Sequence, residues 1–231
     1  TYGDLAGLED AFVEFAGLLQ PGGFVVTCAD DPGARRFAAR LAGSVHTYGE
    51  SEDADLRMSD VTSSARGVHY QATLDGTPIG GISLPTPGRH LGLNSAAAAL
   101  VALRLGVPVQ AIVEALAAFP GVRRRFELKG VVAGIRVYDE YAYHPTSMTA
   151  AMHTLREVAG EGRLIVVFQP YRVYRTRDFE KEIAAALSIG DEAVIMEVFG
   201  PGEVREPGQG GVALTAAVSL PEDRKVFVPS W

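Results

Sequence analysis

Leu5, Leu8, Phe12, Phe15 and Leu19 recur at intervals of three and four residues, the spacing that lines one face of a helix. The pair Gly22-Gly23 separates this helix from the apolar run FVVTCA, which reads as a strand. DPGARRFAARLAG then predicts a short amphipathic helix, with Asp31 as its cap ahead of Pro32, and SVHTYG predicts the next strand. Strand and helix alternate here as they do in an open α/β sheet. The pattern then changes. LRMSDVTSS, GVHYQATLDG and TPIGGISLP show a rough two-residue alternation broken by the turn signals ARG, DGT and GG, so a small antiparallel β subregion is expected.

After PTPGRH a helix is predicted through Leu105, and Val109, Ile112, Val113, Leu116 and Phe119 mark a second one that stops at Pro120-Gly121. Arg123, Arg124, Arg125, Glu127 and Lys129 interrupt the apolar periodicity, placing a domain boundary within residues 121 to 130; we expect one domain over residues 1–122 and another over 123–231. In the second domain GIRVYDE, RLIVVFQ, DEAVIMEV and KVFVP read as strands, alternating with helices at PTSMTAAMHTLREV and TRDFEKEIAAALS. That order predicts a parallel sheet with crossover helices. PGEVREPGQGG, from Pro201 to Gly211, reads as a mobile surface loop.

With 231 residues, 47% of them apolar, the chain can bury a substantial core. Its net charge of -7 argues against nucleic acid as the main partner, because phosphate binding needs a basic face. The single cysteine, Cys28, lies in an apolar run and reads as a buried structural thiol, consistent with a reducing cytoplasm. No apolar run reaches spanning length; AAAALVALRL is short and broken by Arg104. The chain opens on Thr1 and closes just after a strand, and is expected to be a fragment.

Ligands of an open parallel sheet bind beyond the carboxyl ends of its strands. Two polar clusters fall at such ends. DEYAYHPT, residues 139 to 146, joins a strand to a helix opened by Pro145 and offers Asp139, Glu140 and His144. QPYRVYRT, residues 169 to 176, offers Arg172 and Arg175, whose guanidinium groups can grip a carboxylate or phosphate through two hydrogen bonds. The acids and arginines could equally pair with one another, and His144 could simply cap its helix. Tyr141, Tyr143, Tyr171 and Tyr174 read as amphipathic rings on the domain surface. The run Arg123 to Arg125 is by default a solvated linker, and His90 and Asn94 lie one helical turn apart. A phosphate-cradling loop needs glycines followed by Lys and then Ser or Thr; Lys129, Lys181 and Lys225 lack that setting.

Taken in order, GRHLGLNSAAA, GVRRRFELKG, VYDEYAYHPTSM and VVFQPYRVYRTRDF resemble the motifs of the bacterial Mur ligases. The resemblance covers essentially the whole chain. It implies an α/β fold in which residues 1–122 are the second half of a P-loop-type central ATP-binding domain and residues 123–231 a Rossmann-like C-terminal domain. The phosphate loop and the Mg²⁺ ligands would then precede Thr1. It further implies an ATP-dependent ligase of peptidoglycan synthesis that joins L-alanine to UDP-N-acetylmuramate through an acyl phosphate. On that resemblance Asn94 contacts adenine, Arg125 the nucleotide and Glu140 the ribose or the neighbouring nucleotide surface, while His144, Arg172 and Arg175 face the amino acid and the muramoyl substrate. The DEYAYHPT turn would supply the C-terminal wall of an interdomain active site. The chain departs from the commonest family motifs at Leu91, Glu140, Tyr143 and Tyr171; Leu91 has no hydrogen-bonding group, and neither tyrosine becomes cationic as a histidine can. The alternatives are a related ligase that adds a preformed peptide, and a non-catalytic module binding a nucleotide or an acidic ligand.

Overall fold

A computed structural model describes residues 2–204 and 209–230. The chain divides into two units, Thr1–Pro120 and Gly121–Trp231. In the first, Asp4 caps helix α1 (Leu5–Ala16), its Oδ1 accepting the Gly7 N–H at 2.9 Å. The apolar positions expected of this helix are present, but Leu5, Phe12 and Phe15 remain exposed, and Phe12 meets Phe37 edge-on at 6.1 Å between centroids.

Strand β1 (Phe24–Cys28) leads into α2 (Pro32–Ala39), capped by Asp31 with the Ala34 N–H at 2.7 Å, and then into β2 (Ser44–Gly49). β3 (Leu56–Ser64), β4 (Gly67–Leu74) and β5 (Thr77–Leu84) follow. The expected antiparallel subregion forms as β3, β4 and β5, and it is continuous with the parallel strands before it. β1, β2 and β3 pair in parallel, β3, β4 and β5 antiparallel, and all five form one mixed sheet in sequence order. The link is the pairing of Tyr48 with Leu56 and of Gly49 with Arg57, which alternation within single strands cannot reveal.

Helices α3 (Arg89–Arg104) and α4 (Val109–Ala117) pack on this sheet. Leu56, Met58, Tyr70, Ala72 and Ile82 from the strands meet Ala96, Ala99, Leu100 and Ile112 from the helices. Each fully buried Leu, Ile or Met contributes roughly 1.5–3 kcal/mol. Small residues on the inner face of α3 let it approach closely: a Cβ at Gly92 would lie 3.1 Å from Val68 Cγ2. The Tyr70 hydroxyl, fully buried, meets Ser95 Oγ at 3.0 Å, and Ser95 donates in turn to Gly92 O at 2.7 Å. Burial pushes the Tyr70 phenol up to about 12. Cys28 is half-buried, not buried as its apolar run suggests, and sits beside Tyr48.

The second unit corrects the sequence reading more sharply. GIRVYDE does form a strand, β7 (Ile135–Asp139), but it pairs antiparallel with β6 (Glu127–Val132) in a two-stranded sheet of its own. The hairpin turn is Ala133-Gly134, with φ of 50° and 81°. Two successive left-handed residues match the right-handed twist of antiparallel strands. Charged residues and an irregularity between Leu128 and Gly130 hide β6 from a search for alternation. The other three expected strands, β8 (Ile165–Phe168), β9 (Glu192–Met196) and β10 (Lys225–Val228), form the parallel sheet in the order β10-β9-β8.

Helix α5 (Pro145–Ala159) connects β7 to β8. The helix expected from Thr176 starts earlier and is split at Phe179 into α6 (Val173–Asp178) and α7 (Glu180–Leu187). An unanticipated helix, α8 (Gly211–Ala217), lies between β9 and β10. Met148, Ile183, Leu187, Ala193, Ile195, Leu214 and Val218 form this unit's core. Of the loop expected from Pro201 to Gly211, residues 205–208 lie outside the described residues. Among the described residues no helix is long and apolar enough to cross a membrane.

Candidate functional site

The arginine run folds back onto the DEYAYHPT turn. Val122 and Arg125 form an isolated bridge, and Arg124 and Phe126 take positive φ of 59° and 49°. This tight turn brings the Arg124 carbonyl to the Tyr141 N–H at 2.8 Å, and the Phe126 N–H to Glu140 Oε2 at 2.8 Å. Arg124 Nε lies 3.6 Å from Asp139 Oδ2, and Arg125 Nη1 lies 3.7 Å from Glu140 Oε1. The linker reading of the run therefore gives way to a structural one: it buttresses the turn and pairs with both of its acids.

Burial pushes the Glu140 carboxyl above the ordinary glutamate range, against the opposing pull of the Phe126 N–H and the Arg125 guanidinium. Glu140 and Arg125 thus lie side by side on this turn. Asn94 belongs to the other unit, exposed on α3, and His90 on the same helix is held low by burial.

His144 is the N-cap of α5. Its Nδ1 accepts the Thr146 N–H at 3.4 Å, so the neutral ring carries its proton on Nε2, and the ring lies 5.5 Å from Phe179. The turn enters α5 at Pro145, whose missing N–H costs the first turn nothing.

The second cluster follows β8. Arg172, at φ 74°, is the N-cap of α6, and its N–H donates to Phe199 O at 3.0 Å. Arg172 Nη1 meets Glu203 Oε1 at 3.2 Å, and Glu203 Oε2 accepts the Val173 N–H at 2.5 Å. The Tyr171 phenol and the Glu203 carboxylate both push the Arg172 guanidinium up. Arg175 differs from its neighbours: its guanidinium lies 4.5 Å from the Tyr143 ring centroid, and its buried Nη1 has no acceptor among the described residues.

Arginines and rings interleave through both clusters. Arg124 lies 4.4 Å over Tyr141 and Arg172 5.2 Å from Tyr171, distances at which a cation is attracted to a ring face. Tyr141 meets Tyr143 at 5.2 Å, Tyr143 meets Tyr171 at 6.3 Å, and Tyr171 stacks on Phe199 at 6.2 Å. The rings border a cavity of about 520 Å³ whose walls include Arg124, Asp139, Glu140, Tyr143, Gln169 and Phe199. Its lining of flat rings, one guanidinium and two carboxylates suits a polar ligand carrying a planar group.

The sequence reading missed Glu203 and Phe199. Both lie beyond β9, far along the chain from the arginines they contact; the one available signal was a lone acid following the turn residues Gly200-Pro201-Gly202. Among the described residues no group of three or more His, Cys, Asp or Glu is placed to hold a metal ion.

The chain belongs to the Mur ligases: residues 1–102 match the Mur ligase middle domain, and residues 124–228 the domain described as Mur ligase, glutamate ligase domain. Within that family it is 64% identical, over its whole length, to the UDP-N-acetylmuramate--L-alanine ligase of Salinispora arenicola (strain CNS-205), and 62% identical to that of Salinispora tropica. In each case it covers 46% of the relative, so the chain spans about half the length of the curated relatives it matches. The fold is also that of the crystal structure of UDP-N-acetylmuramate-alanine ligase MurC from Thermotoga maritima, with a TM-score of 0.77 at 24% identity over 99% of this chain and 47% of that one. Folylpolyglutamate synthase from Mycobacterium tuberculosis, solved with ADP, shares the fold at a TM-score of 0.70 and 21% identity, over 96% of this chain and 49% of that one.

Proposed function

We propose that this chain is part of an ATP-dependent ligase that joins L-alanine to UDP-N-acetylmuramate through an acyl phosphate, in the cytoplasmic stage of peptidoglycan synthesis. The observation that carries the reading is Arg175: a guanidinium supported by the Tyr143 ring, with a buried N–H that has no acceptor among the described residues. A buried donor left unpaired costs about 1–3 kcal/mol, a cost that an incoming carboxylate or phosphate offsets. The extensive identity to relatives named for this reaction supports the same assignment.

In this reading Arg172 and Arg175 hold the amino acid's carboxylate, and His144, its proton on Nε2, faces the same substrates as a hydrogen-bond donor. Asn94, Arg125 and Glu140 hold ATP, which supplies the phosphoryl group that activates the muramoyl carboxylate. Glu140 suits a ribose hydroxyl, since its Oε1 can accept from one while Oε2 accepts the Phe126 N–H. For Mg²⁺ the described residues offer no cluster of three or more His, Cys, Asp or Glu.

The test is ATP-dependent phosphate release by the full-length gene product with UDP-N-acetylmuramate, with and without L-alanine. Release that requires L-alanine and collapses in Arg175→Ala, with the folded far-UV signal retained, is the expected result. Release supported by a peptide in place of L-alanine would select the peptide-adding reaction. No amine-dependent release at all would leave a binding module.

A further inference from the structure

Glu203 is the one carboxylate paired with an arginine of the QPYRVYRT cluster among the described residues, and it arrives from the loop after β9. Its position is set by the backbone. The Phe199 N–H donates to Pro170 O at 2.8 Å and the Arg172 N–H to Phe199 O at 3.0 Å, so the chain after β9 is joined to the chain after β8. At Gly200 the loop passes so close to α6 that a Cβ would lie 2.9 Å from Val173 Cγ2. The loop then returns Glu203 over the first turn of the helix.

Both carboxylate oxygens are used: one accepts from Arg172 Nη1, the other from the Val173 N–H. The Tyr171 ring supports the guanidinium at 5.2 Å. Arg172 is thus fixed at one nitrogen and one face, while its Nε and Nη2 make no hydrogen bond among the described residues. The Nε–Nη2 edge of a guanidinium is one that can grip a carboxylate through two parallel hydrogen bonds.

We propose that Glu203 is a positioning residue which, by holding Arg172 at Nη1 and anchoring the start of α6, presents the Nε–Nη2 edge to the carboxylate of the amino-acid substrate. This rests on the ligase reading above. The arginine arrives pre-aligned, so less side-chain freedom is lost when the substrate binds.

The experiment uses the full-length gene product and measures phosphate release against L-alanine and, separately, against ATP. Glu203→Ala is expected to raise the KM for L-alanine about tenfold while the KM for ATP stays within about twofold. Glu203→Gln keeps an acceptor for the Val173 N–H or the guanidinium and is expected to recover most of the loss. In an Arg172→Ala background, Glu203→Ala should change the KM for L-alanine by less than about twofold, because the two residues act as one unit. An unchanged KM in Glu203→Ala, equal damage to both KM values, or fully additive effects in the double variant would each overturn the inference while leaving the ligase reading intact. A wild type without L-alanine-dependent release would overturn that reading, and this inference with it.

Discussion

The Arg175 guanidinium lies 4.5 Å from the centroid of the Tyr143 ring, and no carboxylate pairs with it among the described residues. The contact joins a neutral ring to a cation. A ring face holds a guanidinium by about 0.5–2 kcal/mol without neutralising it. Tyr143→Phe should therefore keep the KM for L-alanine within about twofold, and Tyr143→Ala should raise it about five- to twentyfold. Steady-state kinetics on the full-length gene product would check this. Equal effects of the two substitutions would show that the hydroxyl, not the ring, matters.

Glu140 gives a dependence on pH. Burial raises its carboxyl in the folded state above its unfolded value, so the folded chain holds the proton more tightly. Its contribution to stability is then most favourable at low pH and is lost as pH rises from the ordinary glutamate value through the raised one. Glu140→Gln removes this titration. The variant should match the wild type below about pH 4 and become the more stable of the two towards neutrality. Melting temperatures across that range provide the measurement, and a gap that widens towards acid would contradict the assignment.

Tyr70 and Ser95 make an asymmetric pair. Ser95 donates to the Gly92 carbonyl, so the Tyr70 hydroxyl donates to Ser95 Oγ. Tyr70→Phe deletes one hydrogen bond and costs about 1 kcal/mol. Ser95→Ala leaves a fully buried phenol without an acceptor and should cost about 1–3 kcal/mol. Denaturant unfolding of the two variants would rank them, and the reverse order would show that another acceptor reaches the phenol.

The hairpin turn of the second unit can be improved or broken by one methyl group. Ala133 carries a side chain at φ 50°, and Gly134 sits at φ 81° with nothing within 4 Å of where an added methyl would lie. Crowding is therefore irrelevant and only the backbone preference counts. Ala133→Gly should cost nothing or stabilise by up to about 1 kcal/mol, and Gly134→Ala should destabilise by about 1–2 kcal/mol. Thermal unfolding would separate them.

Much of this architecture is legible in the sequence, and what is hidden shares a physical cause. Caps at Asp31 and His144-Pro145, and the apolar runs of β1, β8 and β9, are local and are read directly. Pairings that join distant segments are not. Nothing in LRMSDVTSS says that β3 extends the parallel strands before it, and nothing in GIRVYDE says that it turns back on β6 instead of joining β8. The site divides the same way. The DEYAYHPT and QPYRVYRT clusters stand out by composition, whereas the carboxylate that holds Arg172 comes from 31 residues further along. The alternative in which Asp139 and Glu140 pair with Arg172 or Arg175 is not what forms: those acids pair with Arg124 and Arg125, Arg172 pairs with Glu203, and Arg175 pairs with no carboxylate among the described residues.

The backbone at Arg172, with φ 74° and ψ 124°, occupies a region that glycine enters freely and a side-chain-bearing residue does not. The backbone conformation alone would be better served by Arg172→Gly, although that change also takes the guanidinium partner from Glu203. Stability and chemistry therefore pull in opposite directions at a single position. A laboratory selection for heat resistance that ignored turnover would be expected to discard this guanidinium and, on the proposed ligase reading, with it the hold on a substrate carboxylate.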